Sequence, residues 1–201
     1  MSKEGLSPHI IAALEAGRAT LQAFIEDPAT AGALEAAANL LTRCFAAGNK
    51  VLSCGNGGSA CDAIHFAEEF TGRFRKDRAA LPVIPLTESS HLTCVGNDYG
   101  FDEVFARGVM AYGKTGDVLL GISTSGNSRN VIRAVEEARK RDMRVLLLLG
   151  KSGGVLRGQG DVEILVRAQD TERVQEVHMM ALHILIESVE RCLFPANYTV
   201  P

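Results

Sequence analysis

The chain predicts an α/β fold, a three-layer α/β/α arrangement around a five-stranded parallel sheet with a helical hairpin in front of it. Three observations carry this. Short apolar runs alternate with helix-period stripes, at 51–54, 81–86, 117–122, 144–149 and 161–166. Most of these runs are continuously apolar, as strands covered on both faces are. Two amphipathic stripes precede the first run, and alternating strands and helices imply right-handed crossovers into a parallel sheet.

In order, Ile10, Ile11, Leu14, Leu21, Phe24 and Ile25 form a helical stripe over 8–26 that Asp27-Pro28 breaks. Leu34, Ala37, Ala38, Leu41 and Phe45 form a second. Two such helices bury little alone, so they are expected to pack on the rest of the chain or on another subunit. The run at 51–54 ends in Gly55-Asn56-Gly57-Gly58-Ser59, after which a helix pattern resumes. Pro82 and Pro85 mark 81–86 as a short or edge strand. A helix is expected over 88–97, a turn at Asn97-Asp98-Tyr99-Gly100, and another helix over 101–112. The strand at 117–122 leads through Ser123-Thr124-Ser125-Gly126-Asn127-Ser128 into a helix over 130–141, with Val131, Ile132 and Val135 on its buried face. Strands at 144–149 and 161–166 flank a glycine-rich loop, and a long helix spans 171–193. The organisation expected is one domain: a hairpin over 1–48 used in oligomerisation, an α/β core over 49–193 and a tail over 194–201.

Composition excludes several classes of function. A net charge of -3 leaves no footprint for nucleic acid or an anionic membrane. Trp is absent and aromatics are sparse, so stacking platforms for single strands are not expected. No apolar run is long enough to span a membrane. The five cysteines contain no CxxC pair and read as small core residues of a protein in a reducing, cytoplasmic compartment.

The chemistry gathers in two loops and two helices. A strand feeding a glycine-rich turn and then a helix lets backbone N–H groups approach an anion. The helix after the first loop carries His65 and Glu69 at i,i+4, on one face. The second loop sets Ser123, Thr124, Ser125 and Ser128, four hydroxyls in six residues, at the mouth of a helix. One helix cap accounts for one hydroxyl, and four suit a phosphate dianion. The last helix is apolar almost all round, yet holds Gln175, His178 and His183. Buried polar groups need partners, and His65 and Glu69 are available. A carboxylate and a histidine facing a phosphate pocket suit proton transfer at a carbon next to a carbonyl.

The segments GNGGSACDAIHFAEEFTGRF, GND, GDVLLGISTSGNS and RVQEVHMMALHILI resemble the bacterial phosphoheptose isomerases, which are SIS-domain proteins, over nearly the whole chain. The resemblance implies a flavodoxin-like SIS fold and conversion of sedoheptulose 7-phosphate to D-glycero-D-manno-heptose 7-phosphate through an enediol, toward lipopolysaccharide. It implies Glu69 as the base and His183 as its acid/base partner. It implies a zinc ion in each subunit on His65, Glu69, Gln175 and His183. Asn56, Gly57, Gly58, Ser59, Glu69, Arg73, Asn97, Asp98, Ser123, Thr124, Ser125, Ser128 and Gln175 match its sugar-phosphate contacts. It further implies a homotetramer with sites at subunit boundaries. Ala60 and Glu172 depart from common family choices. Leu193-Phe194-Pro195 is more like SIS proteins that only bind partners, such as the one associated with the bacterial replication initiator. That non-catalytic role is the alternative, and retention of Glu69 and His183 weighs against it.

Overall fold

A computed structural model describes residues 7–199; the outermost parts of the expected hairpin and tail, residues 1–6 and 200–201, lie outside the described residues. Helices α1 (Ser7–Glu26) and α2 (Thr30–Ala46) lead into β1 (Val51–Gly55), α3 (Gly58–Thr71) and β2 (Val83–Pro85). Then come α4 (Ser89–Tyr99), α5 (Val104–Tyr112), β3 (Val118–Ser123), α6 (Arg129–Lys140), β4 (Arg144–Gly150), β5 (Val162–Val166) and α7 (Thr171–Leu193). All neighbouring strands pair in parallel, in the order β2-β1-β3-β4-β5.

Strand periodicity divides the core into two layers. Val118, Leu120 and Ile122 face one side with α2, α3 and α7; Leu119 faces the other with α4, α5 and α6. The short β2 is an edge strand, as its prolines require. The leading helices divide their labour. α2 buries Ala37, Leu41, Cys44 and Phe45 in the core, whereas α1 buries only Phe24 and leaves Ile10, Ile11, Leu14 and Ile25 exposed.

Three expectations need correction. The turn expected at residues 97–100 starts later: Asn97, Asp98 and Tyr99 are helical, and Gly100, at φ +89°, ends α4. The Glu88 carboxylate caps that helix, accepting from the N–H groups of Ser90 (3.0 Å) and His91 (2.8 Å), and the cap outweighs the weak helix propensity of Asn and Asp. Cys44 and Cys54 are core thiols, raised to about 12 by burial, but Cys61, Cys94 and Cys192 are exposed. Ile132 is only half-buried; the buried face of α6 is Asn130, Val131, Ala134, Val135, Glu137 and Ala138.

Candidate active site

The strand order reverses between β1 and β3, and in open parallel sheets that crevice, beyond the carboxyl ends of the strands, is where ligands bind. Both polar loops end there. They bound a cleft of 290 Å³ lined by Asn56, Gly57, Gly58, Ser59, Ser123, Thr124 and Ser128, with Thr171 and Gln175 from the start of α7. The loops are joined by a reciprocal amide pair: Asn56 Nδ2 donates to Asn130 Oδ1 (2.9 Å) and Asn130 Nδ2 to Asn56 Oδ1 (2.8 Å). The larger hollow of 450 Å³ at the opposite end of the sheet holds Asp161, which already pairs with Arg139 and Arg144.

The serine loop organises itself more than hydroxyl counting suggests. Ser123 Oγ accepts from the Gly126 N–H (3.1 Å) and lies 3.0 Å from Ser128 Oγ, while Ser125 Oγ accepts from the Asn127 N–H (3.2 Å). Three of the four hydroxyls therefore shape the loop. Each retains capacity for a further bond, and Thr124 faces the cleft with no internal partner among the described residues. Gly126, at φ +67°, lies against the Gly153 carbonyl so closely that any Cβ would collide with it. Glycine is obligatory at that contact.

Across the cleft, a Cβ at Gly58 would stand 2.5 Å from the Gln175 amide nitrogen. The obstruction is the end of a flexible side chain, so Gly58→Ala should fold normally yet displace Gln175. The expected result is a KM for a phosphate-bearing substrate raised about tenfold with an unchanged melting temperature, read by steady-state kinetics and calorimetry. A KM equal to that of the unsubstituted protein would remove Gln175 from the binding surface.

Along the same face of α3 the spacing 58, 62, 65, 69 reaches the titratable groups. His65 Nε2 is 2.9 Å from His183 Nε2 and 3.5 Å from Glu69 Oε1, while His65 Nδ1 is 3.2 Å from Glu68 Oε1. Phe74 flanks the His183 ring at 5.6 Å. Burial, with the Glu68 charge adding to it, raises the Glu69 carboxyl above the ordinary glutamate value, against the two imidazoles. The donor atoms of His65, Glu69 and His183 all lie within 4.8 Å of one another. Separations of 2.9 and 3.5 Å bracket the roughly 3.3 Å expected between ligands on a tetrahedral zinc. These residues fit a metal ion.

The sequence-predicted residues thus fall into three groups. Asn56, Gly57, Gly58, Ser59, Ser123, Thr124, Ser128 and Gln175 meet in the cleft, with Ser125 shaping its rim. His65, Glu69 and His183 meet in the cluster. Gln175 and His183 are eight residues apart on α7, about 12 Å along its axis, and the Gln175 amide lies beside Gly58 at the start of α3. The third group reaches neither place. Asn97 and Asp98 are exposed on α4, on the other face of the sheet, and bond each other at 2.7 Å. Arg73 is exposed beyond the end of α3.

His178 is a core group, as a lone polar residue on an apolar helix usually is. It contacts the Leu149 carbonyl through Nε2 (3.1 Å), and burial pushes its pKa down to about 4. Sequence reasoning missed Asn130, Thr171 and the buried Asp62, whose carboxyl is raised to about 6 by burial and whose Oδ2 has no partner among the described residues. Asn130 had a readable signal, since an amide interrupts the apolar stripe of α6.

The chain is similar to known proteins over most of its length. Residues 14–150 match the model of the SIS domain. The phosphoheptose isomerase of Fusobacterium nucleatum is 56% identical over 178 residues, 89% of this chain and 92% of that protein. Among solved structures, the phosphoheptose isomerase of Neisseria gonorrhoeae superposes with a TM-score of 0.86 at 41% identity, over 92% of this chain and 99% of that one. That of Francisella tularensis gives 0.88 at 35% identity, over 93% and 99%.

Proposed function

Since this chain belongs to the phosphoheptose isomerases of the SIS-domain family, we propose that it converts sedoheptulose 7-phosphate to D-glycero-D-manno-heptose 7-phosphate. The observation that carries the reading is the meeting of Glu69 and His183, far apart in the chain, beside a hydroxyl-lined cleft at the switch point of the sheet.

The substrate phosphate is anchored by Ser123, Thr124, Ser125 and Ser128 and by the N–H groups that open α3 and α6. Bonds to a charged group contribute about 1.5–3 kcal/mol each, so three or four hold a small phosphoester. Glu69 removes a proton from C1 of the ketose and returns it to C2 of the enediol. His183 moves the hydroxyl proton between the two oxygens, so the reaction balances without an oxidant or reductant. His65, Glu69, Gln175 and His183 would hold a zinc ion, one per subunit, which would supply Lewis-acid stabilisation of developing negative charge. Gln175 is an unusual zinc ligand, and in this reading a neighbouring subunit completes the set.

A homotetramer provides that neighbour. Ile64, Met180 and Ile184 are exposed apolar residues adjoining the cluster on α3 and α7, and α1 exposes Ile10, Ile11, Leu14 and Ile25. Apolar surface of this kind marks contact with another copy. Arg73, Asn97 and Asp98 then belong to the composite site that the assembly forms. The reaction is the first step toward ADP-heptose and the lipopolysaccharide core, in the cytoplasm; no described helix is long and apolar enough to cross a membrane. A purely partner-binding role has no use for a half-buried carboxylate facing an imidazole.

Light scattering, elemental analysis and an assay with sedoheptulose 7-phosphate test this together. A zinc-loaded tetramer is expected to turn over the sugar phosphate, with activity lost on chelation and restored by zinc. Full activity in zinc-free protein makes the metal incidental, and a tetramer inert toward this ketose overturns the substrate assignment.

A further inference from the structure

The tail that follows α7 folds back over the end of α3. Tyr198 Oη donates to Glu190 Oε2 at 2.7 Å, Asn197 Nδ2 donates to the Asp77 carbonyl at 3.0 Å, and the Phe194 ring lies 5.9 Å from the Arg78 guanidinium. Beneath it Arg78 Nε pairs with Glu190 Oε1 at 2.7 Å, with side chains 1% and 0% exposed. A pair so completely desolvated is weak evidence for stability, because an apolar replacement often serves as well.

The remaining donors of Arg78 go to one place. They reach the carbonyls of Glu69 (2.7 Å), Phe70 (2.7 Å), Gly72 (3.0 Å) and Ala79 (3.2 Å). The carbonyls of Glu69 and Phe70 belong to the last turn of α3, where backbone acceptors have no partner within the helix and a positive charge is favoured. Glu69 is therefore held by its own peptide carbonyl. The other end of the guanidinium holds α7, seven residues beyond His183 and on the same side of that helix. A single side chain ties the helix of the carboxylate to the helix of its imidazole partner.

We propose that Arg78, Glu190 and Tyr198 are positioning residues that set the Glu69 carboxylate against His183, with the tail as the latch that keeps water from the ion pair. This rests on the reading of Glu69 as the base. It also gives a use to Phe194, Asn197 and Tyr198 of the tail.

The test uses the full-length, zinc-loaded protein and three variants, assayed well below each melting temperature. Arg78→Lys keeps a cation for Glu190 but cannot span the carbonyls, and Tyr198→Phe removes one hydroxyl. The expected result for Arg78→Lys is a kcat lower by about ten- to a hundredfold, the scale of a small misplacement of a reacting group. For Tyr198→Phe a loss of about threefold is expected, and KM stays within about twofold in both. A merely structural pair would lower the melting temperature and leave kcat alone, and that outcome overturns the proposal. If Arg78→Lys does not fold, Tyr198→Phe decides it on the same criterion. Glu69→Gln separates the two readings. Turnover retained there removes Glu69 as base, whereas turnover lost there with an unchanged kcat in the other two variants overturns the positioning role alone.

Discussion

Glu69→Gln lowers kcat for sedoheptulose 7-phosphate by about a thousandfold, within the range a general base contributes, and leaves KM nearly unchanged. The split follows from the layout. The amide keeps the size of the side chain and the backbone carbonyl that Arg78 holds at 2.7 Å, but has no basic oxygen to take the C1 proton. The phosphate anchor in the serine loop is untouched. Without a metal ion, burial, reinforced by Glu68, raises the Glu69 carboxyl above the ordinary glutamate value. Stability moves the other way. A carboxyl whose folded pKa is raised contributes most below its unfolded pKa and loses that contribution as pH rises through the folded pKa. A neutral amide removes the burden carried at neutral pH, so the variant melts no lower than the parent there. Steady-state kinetics across pH, with calorimetry, check both statements. Turnover within tenfold of the parent would take Glu69 out of the mechanism.

Local pattern made the elements legible, and long-range pairing is where reading the sequence stopped. The final helix runs from Thr171 to Leu193 as its stripe and its bounding residues imply, because helix ends are written in nearby residues. The two site loops could be placed at one end of the sheet, since parallel crossovers put every strand's carboxyl end on the same side. The meeting of His65 and His183, 118 residues apart, was legible only as two polar residues on apolar helices in need of partners. Lys50–Asp117 and Arg78–Glu190 gave no such hint, because one member of each pair sits in a loop or at a strand end where polarity is ordinary. The turn misplaced at 97–100 has the opposite cause. Asn97-Asp98 carries a strong local turn signal, and a cap at Glu88, nine residues upstream of Asn97, overrode it.

Asp117→Ala lowers stability by about 3–5 kcal/mol, the cost of breaking a buried charge pair from one side. At roughly 2–4 °C per kcal/mol for a chain of this size, the melting temperature falls by about 10 °C. Asp117 is fully buried at the amino end of β3, where one carboxylate serves three donors. It accepts from Lys50 Nζ (2.6 Å), the Lys50 N–H (3.0 Å) and the Lys114 N–H (3.0 Å). It thereby fastens the chain entering β1 to the chain entering β3, the two strands whose far ends carry the site loops. Alanine strands two backbone donors and an ammonium that only partly reaches water. Asp117→Asn keeps one acceptor and should recover part of the loss. The site lies at the other end of a six-residue strand, about 20 Å away, so kcat and KM measured at 20 °C should match the parent. That separation is the informative part of the result. A folded Asp117→Ala protein with impaired turnover would mean that the cleft depends on the register of β1 against β3 as a whole, and not on the loops and the two site helices alone.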